Sequence, residues 1–252
     1  MNIGIVGCGI VGTAIKVGFE TLGHFVSVHD LKLQSDISSV LKTDVCYICV
    51  GTPSHPDGSC NIDHVASVID ELNDSCYQGI AAIKSTVEPG TISSLIQKYP
   101  KLEICHVPEF LRERCATQDF IENHNLLVVG TSNDHVYNKI VKSHGHFPVN
   151  RVQLTVDEAE LVKYFSNTYK AWKVTYANSF ATLCKKMNVD YTHIKDTFLL
   201  HGVKEHEYLA DYGAFGGGCL PKDTHAIAAL VRKLNLDIQI FDHMLEENEK
   251  YS

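Results

Sequence analysis

Two hydrophobic patterns divide the 252-residue chain, and one gives way to the other near residue 155. Before that point, short unbroken apolar runs bounded by turn residues predict buried strands at 2–6, 25–29, 45–50, 80–84, 102–107 and 126–130. Stretches between them, from about Ile10 and over 63–73, have helical spacing, and strands alternating with helices predict a parallel sheet covered on both faces. Beyond it, Thr155-Val-Asp-Glu158 reads as a capping box. Leu161, Val162, Phe165, Tyr169, Tyr176, Phe180, Leu183 and Met187 then recur near helical spacing and predict one helix over 156–187. At ~1.5 Å per residue it reaches roughly 45 Å. Its apolar and aromatic residues outnumber what one small domain can cover, so a two-fold homodimer through this helix is expected. Shorter helices are expected over 191–200, 224–234 and 236–250.

The turn after the first strand specifies the sheet. Gly7-Cys-Gly9-Ile10-Val11-Gly12 is G-x-G-x-x-G between a strand and a helix. Its glycines permit a tight turn, close approach of a diphosphate and close helix–strand packing, and the helix N-terminus at Ile10 and Val11 offers N–H groups to phosphates. Asp30 ends the second strand about 20 residues on, where a carboxylate accepts from both ribose hydroxyls and repels a 2′-phosphate. The expected cofactor is NAD rather than NADP. The fold class is therefore α/β: a Rossmann-type doubly wound parallel sheet over residues 1–150, then an all-helical domain over 151–252 containing the long helix.

Composition narrows the partners. A net charge of −8 argues against nucleic acid and anionic membranes, and no apolar run approaches the ~20 residues that span a bilayer. The chain opens directly on a strand, so no signal peptide is expected, and nine irregularly spaced cysteines suit reduced thiols in a cytoplasmic protein. Cys46 and Cys49 have redox spacing but lie in an apolar run and read as core thiols. No metal-ligand cluster is evident.

Candidate chemistry centres on Phe215-Gly-Gly-Gly-Cys219-Leu-Pro221-Lys222-Asp223. Pro221 suits the first turn of a helix, which places Cys219 near a helix N-terminus. The dipole and Lys222 would there favour its thiolate, and Asp223 would lie on the same side. Spacing alone leaves a buried, inert cysteine before a capped helix equally open. Thr86 ends the fourth strand, where its hydroxyl could hold water or substrate or cap a helix, with Thr91 as the other cap. Glu109 and Glu113, four apart, would share a helix face and could create a base; taken in isolation, a solvated acidic face salted by Arg112 and Arg114 is the favoured reading. Lys163 and Asn167 are one turn apart on the long helix.

Five stretches, in order, resemble motifs of the UDP-glucose/GDP-mannose dehydrogenase family. They are the glycine turn, Ser85-Thr86-Val87-Glu88-Pro89-Gly90-Thr91, Pro108-Glu109-Phe110-Leu111-Arg112-Glu113, Glu160-Leu161-Val162-Lys163 with Asn167, and the cysteine loop. The resemblance implies four-electron, NAD-dependent oxidation of a nucleotide sugar, of the UDP-glucose to UDP-glucuronate type. Cys219 would form a thiohemiacetal, its oxyanion held by Lys163 and Asn167, and then a thioester. Thr86 and Asp223 would position the hydrolytic water, with Glu113 as base. It also implies substrate contacts from Glu109, Phe110, Leu111, Tyr208 and Leu209, and cofactor contacts from Thr52, Thr86 and Lys222. The departures are a short segment between Asp30 and Val45, Arg114 in place of glycine, and Val203 near the expected inter-subunit arginine, with Lys204 or His201 as substitutes. The chain also ends where a second, UDP-binding domain would begin, which is expected to weaken turnover. Two other readings stand beside this one: an NAD and nucleotide-sugar binding protein with little turnover, and a two-electron hydroxyacid dehydrogenase, which would need no cysteine.

Overall fold

The computed structural model describes residues 1–202, 208–209 and 213–252. Lys204 and Val203 lie outside the described residues; His201 is exposed. The chain divides into two compact units, one of Met1–Pro53 and Cys60–Lys163, the other of Ser54–Ser59 and Tyr164–Ser252.

The first unit is built on a seven-stranded sheet. In chain order its elements are β1 (Asn2–Val6), α1 (Ile10–Thr21), β2 (Phe25–His29), β3 (Val45–Ile48), α2 (Asp63–Asp74), β4 (Ile80–Ile83), α3 (Thr91–Lys98), β5 (Glu103–His106), α4 (Ala116–Ile121), β6 (Leu126–Gly130), α5 (Asp134–His144) and β7 (Asn150–Leu154). The spatial order is β2-β1-β3-β4-β5-β6-β7. Neighbours run parallel except β5 and β6, which meet antiparallel at His106 and Gly130. The chain leaves β1 in one direction for β2 and returns past it to β3, and ligands of open α/β sheets bind at such a reversal.

Alternating strand residues feed two cores. Cys46, Ile48, Ala81, Ile83 and Ile104 pack with α2 and α3 residues such as Val65, Ile69, Leu72 and Ile92. Ile3, Ile5, Tyr47, Ala82, Cys105 and Val129 pack on the other face with Ile15, Phe19, Phe120 and Ile140. Phe19 stacks on Tyr47 at 4.9 Å and meets Phe120 edge-on at 5.4 Å. Burying each such ring is worth about 1.5–3 kcal/mol. Cys46 is fully buried within this sheet, whereas Cys49, just past β3, is half-buried and lines a cavity with Asp30; burial pushes its thiol up to about 12.

Several expectations need correction. Seven strands form rather than six, because Asn150–Leu154 pairs parallel with β6. The short stretch between Asp30 and Val45 carries two 3-10 turns, Leu31–Leu33 and Ile37–Ser39, instead of a longer helix. Residue Gly90, with φ of 93°, caps α3 in place of Thr91, whose hydroxyl donates to the Glu88 carbonyl. Glu109 and Glu113 do not share a helix: the chain is irregular from Val107 to Arg112, and Glu113 opens a 3-10 turn.

The long helix α6 (Val156–Lys186) has 31 residues and begins with the expected capping box. Thr155 donates N–H and hydroxyl to Glu158 at 2.9 and 2.7 Å, and the Glu158 N–H donates to Thr155 Oγ1 at 3.3 Å. In the first unit, Glu160 of α6 accepts from the Gly90 and Ile92 N–H groups at 2.7 and 2.9 Å. That satisfies two orphan donors at the start of α3.

The second unit contains the rest of α6 with α7 (Tyr191–Leu199), α8 (Leu220–Lys233) and α9 (Ile240–Glu249). Tyr164 packs with Ala226, Ile227 and Val231, and Ala171 and Val174 pack with Phe215 and Met244. α8 begins at Leu220, with Cys219 before it and Pro221 in its first turn as the proline signal implies, four residues ahead of the 224–234 span, and α9 begins four residues later than expected. On α6, Phe165, Tyr169, Trp172, Tyr176 and Phe180 are all exposed and form a continuous ladder, with successive ring centroids 4.8–6.5 Å apart.

Candidate functional site

Each glycine of the turn after β1 meets a different constraint. Gly7 has φ of 90°, and a Cβ there would stand 2.8 Å from the Cys49 carbonyl. A Cβ on Gly12 would stand 1.9 Å from the Gly7 oxygen, so only glycine lets α1 lie this close to the turn. A Cβ on Gly9 would meet nothing within 4 Å. Ile10, at the start of α1, is exposed, as a backbone cradle for a diphosphate requires, while the Val11 side chain is half-buried against the core.

Asp30 is fastened to this turn. Its carboxylate accepts the Cys8 N–H at 2.5 Å and the Lys32 N–H at 2.8 Å. These bonds, the Cys8 one foremost, hold its carboxyl below the usual value despite some desolvation. A carboxylate has about four acceptor sites, so two remain for hydroxyl donors. Asp30 lines a cavity of about 340 Å³ with Gly7, Gly9, His29, His64 and Val68. Glycine turn, open helix end and anchored carboxylate fit an adenosine diphosphate moiety.

Charged groups are buried further along the sheet. Lys84, at the end of β4, lies 2.8 Å from Glu109, the two side chains being 1% and 9% exposed. Burial pushes the Glu109 carboxyl up, but the Lys84 charge and hydrogen bond, with smaller contributions from His124 and the Phe110 N–H, outweigh it and hold it below the usual range. Glu109 Oε1 accepts from the Phe110 and Leu111 N–H groups at 2.7 and 3.3 Å. Lys163 Nζ donates to the Glu109 carbonyl at 2.5 Å and lies 5.6 Å from the Phe110 ring centre. Thr86 is half-buried just beyond Ser85, whose hydroxyl donates to the Val50 carbonyl at 2.7 Å; Thr52 is buried. Glu113 is exposed and shares a second cavity, of about 600 Å³, with Gly9, Ile10 and Thr13.

In the second unit, Cys219 is exposed and is the N-cap residue of α8. Asp223, one turn on, is buried, and its N–H donates to the Cys219 carbonyl at 2.9 Å. Asn167 donates to Asp223 Oδ2 at 2.6 Å, and Lys222 pairs with Oδ1 at 2.6 Å. Lys222 therefore engages the carboxylate one residue on. Tyr208 and Leu209 pack elsewhere in this unit: Tyr208 joins the Phe215 cluster, and the Leu209 carbonyl accepts from Tyr191 Oη at 3.1 Å.

Fourteen of the sequence-derived residues fall into three groups, and Thr52, Thr86, Glu113, Tyr208 and Leu209 join none of them. Gly7, Gly9, Ile10, Val11, Gly12 and Asp30 form the dinucleotide cradle; Glu109 pairs with Lys84, with Phe110, Leu111 and Lys163 bonded to it; Asn167, Cys219, Lys222 and Asp223 converge at α8. Sequence reasoning gave no role to Lys84 or Glu160. The signal for Lys84 was a lone ammonium closing an apolar run, since lysine is almost never buried unpaired.

Comparison with known proteins gives the same picture. The NAD binding domain of the UDP-glucose/GDP-mannose dehydrogenase family matches residues 24–147, and that family's central domain matches residues 157–250. UDP-glucose 6-dehydrogenase of Rickettsia bellii is 28% identical over 99% of this chain and 67% of its own length. GDP-mannose 6-dehydrogenase of Pseudomonas aeruginosa is 28% identical over 83% of this chain and 52% of its own. The structure of a UDP-glucose dehydrogenase from Pyrobaculum islandicum superposes with a TM-score of 0.90 at 27% identity, covering 99% of this chain and 68% of that one. This chain thus spans between half and about two thirds of the length of these relatives. Matched over most of its residues, and carrying the glycine cradle and anchored carboxylate that the NAD-binding domain requires, it belongs to the UDP-glucose/GDP-mannose dehydrogenase family and uses NAD as its cofactor.

Proposed function

We propose that the chain oxidises the primary alcohol of a nucleotide sugar, UDP-glucose foremost, to a carboxylate. The observation that carries this reading is the start of α8, where an exposed thiol stands one turn from a buried carboxylate held by an amide and an ammonium. NAD, when bound, supplies the hydride acceptor for both oxidations. The alcohol first loses a hydride and a proton to give an aldehyde. Cys219 Sγ adds to the aldehyde carbon, and the oxyanion of this thiohemiacetal is stabilised by Lys163 and Asn167. Asn167 gives one amide N–H to Asp223 and keeps a second for that task. Loss of a second hydride yields a thioester. Water attacks its carbonyl carbon, the C–S bond breaks, and the thiol and carboxylate are released.

In this reading Thr86 and Asp223 position the water and Glu113 is the base. Glu109 orients the sugar. The Phe110 and Leu111 N–H groups are already given to Glu109, so these two residues would meet substrate through other atoms. Tyr208 and Leu209 approach the nucleotide base, and Thr52 and Lys222 the cofactor. The first unit is the NAD-binding domain; the second carries substrate and dimerisation. The exposed aromatic ladder supports a homodimer through α6, since burying such rings is favourable. The setting is cytoplasmic.

The test is to incubate the chain with NAD and UDP-glucose and count NADH per sugar. Two are expected, and Cys219→Ser should form no carboxylate while binding NAD as wild type does. One NADH per sugar, or carboxylate from the serine variant, would overturn the thioester route. No NADH at all would favour a binding protein.

A further inference from the structure

The cavity of about 600 Å³ beside the glycine turn is walled by the first turn of α1 and by residues 113–118, and among the described residues Arg114 is the one cation lining it. Arg114 is exposed and has no ion pair or hydrogen bond with any described residue. Its neighbour Arg112 is committed: the Arg112 Nε and Nη2 donate to Asp119 at 2.9 and 2.7 Å, and its N–H to the same carboxylate at 3.0 Å. That anchors the turn carrying Arg114. Across the cavity, α1 has no acidic residue in its first turn and no side-chain cap at Gly9. A Cβ on Gly9 would meet nothing within 4 Å. Gly9 also borders the Asp30 cavity. A dinucleotide whose ribose is held at Asp30 would therefore bring its diphosphate across Gly9, towards Arg114.

We propose that Arg114 donates to the diphosphate of the bound dinucleotide, adding a charged clamp to the backbone cradle. The inference rests on the NAD assignment. Its chemistry is direct: the first turn of α1 offers only neutral donors, its N–H groups and the Thr13 hydroxyl, whereas a guanidinium is permanently charged and matches two phosphate oxygens in its plane. Glu113 bounds the same cavity and repels phosphate, so the clamp acts against an opposing charge and its effect depends on salt.

The test is calorimetric titration of wild type, Arg114→Gly and Arg114→Lys with NAD and with adenosine, at low and high salt. The glycine variant should bind NAD about tenfold more weakly, with a flatter salt dependence, and adenosine as wild type does. The lysine variant should recover part of the loss. NAD affinity in the glycine variant within twofold of wild type would overturn the proposal. An equal loss for adenosine, or no recovery with lysine, would also overturn it by showing a purely structural effect. Wild-type chain that fails to take up NAD would remove the cofactor assignment first, and this contact with it.

Discussion

Replacing Lys84 with methionine keeps the aliphatic stem and removes the ammonium from a pair in which both side chains are shielded from water, at 1% and 9% exposure. What remains is Glu109, buried and charged with no counter-ion 2.8 Å away. Breaking a buried pair from one side costs about 3–5 kcal/mol, because the surviving charge is uncompensated. The cost depends on pH with a definite sign. In wild type the Glu109 carboxyl is held below its ordinary value, so the pair's contribution is present above the unfolded carboxylate range and fades as pH falls through the lowered folded value. Without Lys84, burial, already the largest influence on this carboxyl, is opposed by the smaller contributions of His124 and the Phe110 N–H and raises it relative to wild type. A raised carboxyl favours the folded state at low pH and loses that favour as pH rises. The stability gap between Lys84→Met and wild type should thus be widest near about pH 8 and narrow toward about pH 5. Urea titrations followed by far-UV circular dichroism at both pH values measure it. A gap under about 1 kcal/mol at the higher pH, or one of equal size at both, refutes the reasoning. Adding Glu109→Gln should restore most of the loss, since it removes the stranded charge.

The glycine turn separates fold from binding: Gly12→Ala, whose Cβ would fall 1.9 Å from the Gly7 oxygen, should lower the melting temperature and abolish NAD binding. Gly9→Ala, whose Cβ meets nothing, should weaken NAD binding with melting unchanged; equal melting of the two variants refutes this difference. NAD should bind wild type at least about tenfold tighter than NADP, ~1.4 kcal/mol, and Asp30→Ala should narrow the difference; equal affinities in wild-type titrations count against the ribose contact. Light scattering at micromolar concentration should report a dimer, and Tyr176→Glu, in the middle of the aromatic ladder, should yield monomers. A monomeric wild type removes the α6 interface.

What the sequence revealed, and what it hid, follows from the range of the forces involved. β1, β3 and β4 are buried on both faces and announce themselves as apolar runs. β7 is half-exposed with the sequence Asn-Arg-Val-Gln-Leu, which offers no such run, and it is specified by its ladder with β6. Cys219 was legible as a helix cap because Pro221 is a local signal. The supposed Glu109–Glu113 helix was not, because Glu109 takes up the Phe110 and Leu111 N–H groups and turns inward to Lys84, 25 residues away in sequence. The α3 cap was hidden for the same reason: its acceptor, Glu160, lies 70 residues from Gly90.

The chain has a single tryptophan, Trp172, and it sits in the middle of the aromatic ladder at 39% exposure. The first unit has none. Tryptophan emission is therefore a selective lamp for the helical unit: its wavelength and quenching report solvent at the α6 face, and melting of the sheet unit by itself is dark in that channel. Emission and backbone dichroism recorded in the same denaturant series should then show whether the two units come apart together, or in sequence.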